Sequence, residues 1–156
     1  MSHGGFADRE ALRAAATRFV ETAWRQRDLV GLFELVHADY RHALVGRERH
    51  LPFEAYRKFL TTVQDAFEQL VLAVLDTVAE DDEVALHLVL GGRHVKPLFG
   101  IAARGAEGRL DVMTRLVFSE RRVLRQYSVT DFATLSTQLR RPGPSSRMAP
   151  PDGGGT

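Results

Sequence analysis

Residues 110–139, LDVMTRLVFSERRVLRQYSVTDFATLSTQL, decide the fold of this chain. Their alternating pattern predicts two strands joined by a tight turn, and the last eight residues predict a short helix. In the second strand, Val123, Tyr127 and Val129 share one face at a period of two, and Asp131 ends that face. We therefore expect the Asp131 carboxylate to point into the apolar interior. Burying a carboxylate is costly unless water or a polar ligand meets it, so Asp131 is the first catalytic candidate.

Two observations complicate this interpretation of the second strand. Arg125 lies on the same face and interrupts its apolar pattern, which a β-bulge or a position near the rim would accommodate. Asp131 also directly precedes the predicted helix, and aspartate is a favoured N-cap residue. The pattern therefore leaves two roles open for Asp131, catalysis and helix capping.

Composition limits the classes of protein to consider. With 156 residues and 44% hydrophobic content, we expect a single domain with a proper core. The 21 basic and 20 acidic residues form no long run of one sign, which argues against nucleic-acid or membrane-surface binding. The absence of cysteine excludes disulfides, thiol nucleophiles and cysteine-bound metals. Since neither a signal peptide nor a membrane-spanning apolar run is evident, we expect a cytoplasmic protein.

The N-terminal third predicts two helices and a strand. Apolar residues recur at steps of three and four over residues 8–26, which is typical of an amphipathic helix. Asp28 is well placed to cap a second, shorter helix. Residues 37–46 then alternate, which predicts a short strand with Tyr40 and His42 on one face.

The middle of the chain predicts a third helix followed by strands. Residues 52–68 begin with a proline and carry an apolar stripe, as a helix does. Residues 70–79 are apolar on both faces, which predicts a strand covered on both sides. Residues 83–95 predict a strand in which His94 ends an inward row of valine and leucine. Residues 96–108, with their proline and glycines, predict a loop or an irregular edge strand.

This order of elements predicts an α+β fold, because helices come first, long strands follow and a short helix closes the chain. A sheet of this length must twist and curl, so helices laid on its concave face would enclose a pocket. We expect one domain over residues 8–140. Residues 1–7 are expected to be flexible, and residues 141–156 have the composition of a disordered tail.

Three segments carry a resemblance to a known family: WRQRDLVGLFELVHADY, VALHLVLGGRHV followed by LFGIAARG, and VLRQYSVTDFATLSTQL. On these segments, from about residue 12 to residue 140, the chain resembles the SnoaL-like polyketide cyclases of the nuclear transport factor 2-like superfamily. The last segment in that family commonly contains a histidine-tryptophan pair, an aspartate four residues after the tryptophan, and a glutamine-leucine pair. The matching residues of this chain are Gln126, Tyr127, Asp131, Gln138 and Leu139.

The resemblance implies a cone-shaped domain in which a curved mixed or antiparallel sheet and three N-terminal helices enclose a cofactor-free cavity. It also implies a homodimer formed through the outer face of the sheet, and an acid-base role for Asp131. Two positions depart from the family pattern. The family histidine is replaced by Gln126, and the aspartate that often follows the histidine of the early strand is replaced by Ala43.

Two histidines join Asp131 as catalytic candidates. His94 continues an inward row of leucines, and His42 occupies the position of a histidine that recurs in the family. The alternative for both is a structural histidine with satisfied ring nitrogens. Aromatic side chains are candidates for substrate binding, although they are equally common in cores; they are Trp24, Tyr40, Phe99 and Tyr127. No histidine and carboxylate pair has convincing spacing for a metal site.

The sequence and the resemblance together suggest acid-base-catalysed ring closure of an apolar polyketide-type intermediate. Asp131 would transfer the proton, with its pKa raised by burial. One alternative is epoxide opening, by hydrolysis or cyclisation, which requires Arg115 or Arg125 and a second acid such as Asp111 to face inward. Another alternative is a small-molecule-binding protein without catalytic activity.

Overall fold

The computed structural model of the protein describes residues 5–45 and 49–144. Residues 1–4 of the predicted flexible start and 145–156 of the predicted tail lie outside the described residues. In chain order, the helices and strands are α1 (Arg9–Trp24), α2 (Leu29–Glu34), β1 (Val36–Leu44), β2 (His50–Leu51), α3 (Phe53–Ala66), β3 (Phe67–Glu80), β4 (Glu83–His94), β5 (Glu107–Ser119), β6 (Arg122–Thr130) and α4 (Phe132–Leu139).

The predicted α+β fold class is confirmed. The strands form one curved, unclosed sheet in the order β2-β1-β6-β5-β4-β3. Strand β1 runs parallel to β6, whereas the other neighbouring strands are antiparallel, so the sheet is mixed. Within residues 5–45 and 49–144, no helix is both long and apolar enough to cross a membrane.

The N-terminal helices form where the sequence predicts and cover the inner face of the sheet. The carboxylate of Asp8 caps α1 by accepting the N–H of Ala11 at 2.8 Å, and Asp28 caps α2 by accepting that of Gly31 at 2.8 Å. Helix α1 packs on β3 and β4, and α3 packs on β1 and β3. The buried face of α1 and the inward row of β4 meet in a single apolar core.

Strand β3 differs from the prediction that it would be covered on both sides. It is an edge strand, and Val71 and Val78 on its outer face are 65% and 61% exposed. Apolar residues on both faces indicate that both faces could be covered, but a sequence pattern cannot supply the covering element. Among the described residues, Val71 and Val78 therefore stay uncovered on the outer face of β3.

A β-bulge lies at Leu124 in β6. Val117 of β5 pairs with Arg125, but the next residue of β5, Phe118, pairs with Val123. Leu124 is therefore an extra residue with no partner in the ladder. Because side chains alternate at a period of two, one extra residue exchanges the inward and outward faces of the strand beyond it.

The bulge overturns the predicted orientation of β6. Gln126 and Ser128 are buried on the inner face, whereas Val129 is exposed. Tyr127 is half-buried and shares the outward face with Val129, and Asp131 beyond the strand end is exposed. The prediction that Tyr127, Val129 and Asp131 point into the interior is therefore wrong.

Helix α4 lies unusually close to β5, and Gly108 makes this possible. A Cβ atom at Gly108 would come within 2.9 Å of methyl groups of Leu135 and Leu139, and within 3.0 Å of the Phe67 ring. The side-chain oxygen of Gln138 also accepts the backbone N–H of Arg109 at 2.7 Å. Contact and hydrogen bond together fix α4 at one end of the sheet.

We predict that Gly108→Ala lowers the free energy of unfolding by about 1–3 kcal/mol, because the added methyl group overpacks the contact between α4 and β5. Thermal and urea denaturation measure the change. The matched control is Gly91→Ala in the neighbouring strand, where the nearest atom to a new Cβ is at 3.7 Å. Equal stability of the two variants would contradict the close packing at Gly108.

Candidate active site

A small inner cavity lies between the helices and the concave face of the sheet. It offers about 20 Å³ to the centres of water molecules, and one water needs roughly 10–15 Å³ on the same measure. The cavity therefore has room for about one water in this conformation. Its lining consists of Val20, Trp24, His42, Leu44, Tyr56, Phe59, Leu88, Leu110, Val112, Thr114, Gln126, Ser128 and Thr130.

A larger mouth pocket adjoins the inner cavity. It measures about 380 Å³ in the same way. Leu44 and Phe59 line both spaces, so they form the partition between them. The full lining of the mouth pocket is Leu44, Phe59, Leu98, Phe99, Ile101, Phe132, Leu135, Ser136, Leu139 and Arg140. Its surface is mainly apolar, with one arginine at the edge.

One wall of the inner cavity is a chain of hydrogen-bonded polar side chains, His42, Ser128, Thr114 and Gln126, which we call the polar wall. The Nε2 atom of His42 lies 3.1 Å from Ser128 Oγ, which lies 3.0 Å from Thr114 Oγ1. Gln126 Nε2 donates to Thr114 Oγ1 at 3.4 Å, while its Oε1 accepts the hydroxyl of Tyr40 at 2.6 Å. All four wall residues are buried, and each has a partner.

Strand pairing brings the polar wall together. His42 is opposite Gln126 in the parallel pair of β1 and β6, and Thr114 is opposite Ser128 in the antiparallel pair of β5 and β6. Without the bulge at Leu124, Gln126 and Ser128 would face the other side of the sheet. The wall therefore depends on that one extra residue.

His42 is neutral at physiological pH. Burial lowers the pKa of its imidazole from 6.5 to about 4, because the charged form is poorly solvated in the cavity. A neutral imidazole can donate a hydrogen bond from one ring nitrogen and accept one, or a proton, at the other. Among the described residues that line the inner cavity, none is acidic, and no arginine or lysine is present.

Tyr56 of α3 faces the polar wall across the cavity. Burial raises the pKa of its phenol to about 12, and hydrogen bonds from Gln126 and Trp24 oppose that rise. The phenol is therefore protonated at physiological pH, and its O–H can donate a hydrogen bond to an acceptor in the cavity. The ring of His42 lies 5.0 Å from that of Tyr56. The cavity therefore presents a weak acid opposite a neutral imidazole.

Asp131 lies outside the cavity. Its side chain is exposed and accepts the backbone N–H of Thr134 at 3.0 Å, as the N-cap of α4. Hydrogen bonds to Thr134 lower the pKa of the carboxyl, in contrast with the predicted rise. Of the two roles that the sequence left open for Asp131, the structure supports helix capping.

His94 and Tyr127 also lie away from the cavity. The His94 ring is 0% exposed, lies 5.5 Å from the ring of Phe67, and has no hydrogen-bond partner for either nitrogen among the described residues. It belongs to neither lining. Tyr127 is on the outer face of the sheet, with the guanidinium of Arg115 at 4.5 Å from its ring centre. The predicted inward position is wrong for Tyr127, and His94 is inward but part of the packed core.

The other sequence candidates lie at or near the two spaces. Trp24 and His42 line the inner cavity, and Phe99 lines the mouth pocket. Tyr40 is buried behind the polar wall, where its hydroxyl orients the Gln126 amide. The binding and catalytic roles of these residues stay predictions.

Besides Gln126, which the resemblance marked only as the replacement of a family histidine, sequence reasoning missed three residues of the site. Tyr56 was part of an apolar helical stripe, which is indistinguishable from a core position. Thr114 alternates with Leu110, Val112 and Leu116 in the sequence, where a hydroxyl among apolar residues is an available signal. Ser128 lies between Tyr127 and Val129, so the inward face predicted for those two residues places Ser128 outward unless the bulge is included.

A comparison of the sequence with models of known protein families identifies the family of this chain. The model of the SnoaL-like polyketide cyclase family matches residues 14–139, which is most of the chain. The chain belongs to this family. The resemblance inferred from the sequence is confirmed for this SnoaL-like protein. A comparison with curated protein sequences gives no significant match.

Solved structures with the same fold come from several bacteria. AclR from Streptomyces galilaeus is 22% identical with a TM-score of 0.77, over 85% of this chain and 82% of AclR. IdmH from Streptomyces antibioticus is 20% identical with a TM-score of 0.74, over 82% of this chain and 97% of IdmH. TsrD from Streptomyces laurentii is 25% identical with a TM-score of 0.70, over 82% of this chain and 96% of TsrD.

The buried imidazole makes the stability of this SnoaL-like protein depend on pH. Between pH 6.5 and about 4, the unfolded chain protonates His42 whereas the folded chain does not. The uncharged His42 ring therefore costs no unfolding free energy above pH 6.5. As the pH falls below 6.5, the folded state loses up to about 3 kcal/mol of stability relative to the unfolded state.

We predict that His42→Gln reduces the slope of unfolding free energy against pH in this window, measured by urea denaturation. The exposed His50→Gln is the control, and a wild-type slope in His42→Gln would contradict the burial of an uncharged ring.

Proposed function

We propose that this protein is a cofactor-independent cyclase that closes a ring in an apolar polyketide-type intermediate. The observation that carries the proposal is the neutral polar wall facing Tyr56 inside an otherwise apolar cavity. Family membership supports a cyclase-type reaction. Among the similar structures, IdmH is a candidate polyketide cyclase and AclR a candidate hydroxylase.

In the proposed reaction, a carbon next to one carbonyl group attacks a second carbonyl group of the same molecule. His42 takes the proton from the attacking carbon, and the Tyr56 hydroxyl donates a hydrogen bond to the oxygen that becomes negative. A new carbon–carbon bond forms, and the alkoxide receives the proton back from the imidazolium. No electrons are gained or lost overall, so this reaction needs no redox cofactor.

Magnitudes indicate what should dominate the rate. An imidazole with a pKa of about 4 is a weak base, so its contribution belongs at the low end of the roughly 100 to 10,000-fold range for acid-base groups. Holding two reactive ends together can contribute about 7–11 kcal/mol. We therefore assign most of the proposed rate enhancement to the apolar enclosure that holds the substrate once the mouth pocket and the inner cavity are joined, with His42 and Tyr56 selecting where the proton moves.

We predict that His42→Gln and Tyr56→Phe each lower turnover of a linear poly-β-ketone by about 10 to 1,000-fold, since one removes the base and the other removes a hydrogen-bond donor. Asp131→Asn is the matched control and should keep wild-type turnover, because asparagine also caps a helix. Product formation is measured against the spontaneous rate by chromatography and mass spectrometry. A large loss in Asp131→Asn with normal rates in the other two would contradict this mechanism. A wild-type rate equal to the spontaneous rate would instead indicate a binding protein.

The epoxide alternative has no comparable support. Arg115 lies on the outer face and pairs with Glu83 at 3.1 Å. Asp111 also faces outward, where it contacts His87 at 3.0 Å and Arg109 at 3.1 Å. Arg125 donates to the backbone oxygen of Asp39 and is not part of the cavity lining.

We also propose that the protein forms a homodimer through the outer face of the sheet. Apolar side chains of β3, β5 and β6 are exposed there, and exposed apolar surface is a mark of interaction sites. They are Val71, Val78, Met113 and Val129. Met113 and Val129 are directly opposite each other in the β5–β6 ladder, near the middle of the sheet.

We predict that Met113→Lys combined with Val129→Lys converts the dimer into a monomer, because two charges would be buried without partners. Light scattering coupled to size-exclusion chromatography measures the mass. The control is Val30→Lys, since Val30 is 79% exposed on α2. A monomeric wild-type protein, or a dimer that survives both lysines, would remove this face as the interface.

A further inference from the structure

Phe59 of α3 separates the mouth pocket from the inner cavity. It lines both spaces, which differ in size from about 380 Å³ to about 20 Å³. A ligand that fits the mouth pocket cannot contact the polar wall while Phe59 keeps this position. The side chain is only partly buried, so it is less tightly packed than its buried neighbours on α3.

Aromatic rings hold Phe59 from both sides. On the side of the mouth, the ring of Phe99 stacks on it at 6.4 Å and that of Phe132 meets it edge-on at 6.4 Å. On the side of the cavity, the ring of Trp24 meets it edge-on at 6.3 Å. Phe99 and Phe132 also contact each other at 5.6 Å. Such contacts are individually weak and can be exchanged for contacts with a ligand.

Phe99 occupies a backbone conformation that its side chain does not favour. It lies at the tip of a hairpin closed by Leu98 and Ile101, with φ of +46° at Phe99 and +80° at Gly100. Such turns favour asparagine or glycine at both central positions, whereas a bulky residue there is strained. The side chain is nevertheless 58% exposed. Its identified aromatic contacts are those with Phe59 and Phe132.

We propose that Phe59 is a gate that determines which molecules reach the polar wall, and that Phe99 holds this gate closed. A ligand with a flat unsaturated section displaces the Phe99 ring from Phe59 and Phe132. Phe59 is then no longer held by Phe99 and can move out of the partition. The role in substrate selection rests on the proposed function, because it assumes that the inner cavity is where the reaction occurs. The gate itself requires no substrate and can be tested without one.

Trp24 provides a direct measurement of access to the cavity. It is the only tryptophan of the chain, lines the inner cavity and is 6% exposed. The probe is acrylamide, a small neutral quencher, added to the full-length protein and to the variants Phe99→Asn, Phe59→Ala and Phe33→Ala. Asparagine suits the positive φ at position 99, and Phe33 is an exposed aromatic residue on α2 outside both linings.

The proposal expects the Stern–Volmer constant of Trp24 to rise severalfold in Phe59→Ala and in Phe99→Asn, and to stay at the wild-type value in Phe33→Ala. Phe99→Asn is the decisive variant, because the aromatic contacts connect Phe99 to Trp24 only through Phe59. A wild-type constant in a folded Phe99→Asn protein overturns the gate, whatever happens in Phe59→Ala. The result does not depend on turnover, so failure of the gate and failure of the proposed cyclase activity are distinguishable.

Discussion

The register of a single strand controls the chemistry of this protein. Leu124 adds one residue to β6, and the alternation of side chains beyond it is inverted. The inversion turns an amide and a hydroxyl toward the helices and turns Tyr127 and Val129 away from them. The inward position of Gln126 and Ser128 in the polar wall and the outward position of Tyr127 and Val129 both follow from this one irregularity in the ladder.

The described residues that line the inner cavity carry no carboxylate, lysine or arginine, and the free-energy cost of burying a charge explains this composition. A carboxylate or ammonium group in this space would lose its hydration without gaining an oppositely charged partner, which is far more costly than burying a hydroxyl or an amide. Neutral groups joined in a chain satisfy one another and still offer donors and acceptors to a ligand. Such a site selects ligands with uncharged oxygen functions, because an anionic group entering it would meet no cation.

Local patterns predicted most of the fold, and long-range features explain where prediction failed. Helices α1 and α3 and the inward row of β4 depend on periodicity within one segment, so the sequence was sufficient for them. The cover over β3 depends on a partner that its own residues do not specify. Arg125 did mark the irregularity in β6, since its charge interrupted an apolar face. With the bulge included, every later side chain of the strand changes sides, and the position of Asp131 outside the cavity follows.

The parallel pairing of β1 with β6 also affects the order in which parts of the protein fold. His42 and Ser128 are 86 residues apart, yet they are in direct contact. Closing so long a loop carries an entropic cost before any contact is gained, so local elements fold sooner than this pair. During synthesis, a nascent chain can form α1, α2, α3 and the β3–β4 hairpin before β6 has left the ribosome. The polar wall is therefore among the last parts to form, and chains that end before β6 lack Gln126 and Ser128 of this wall.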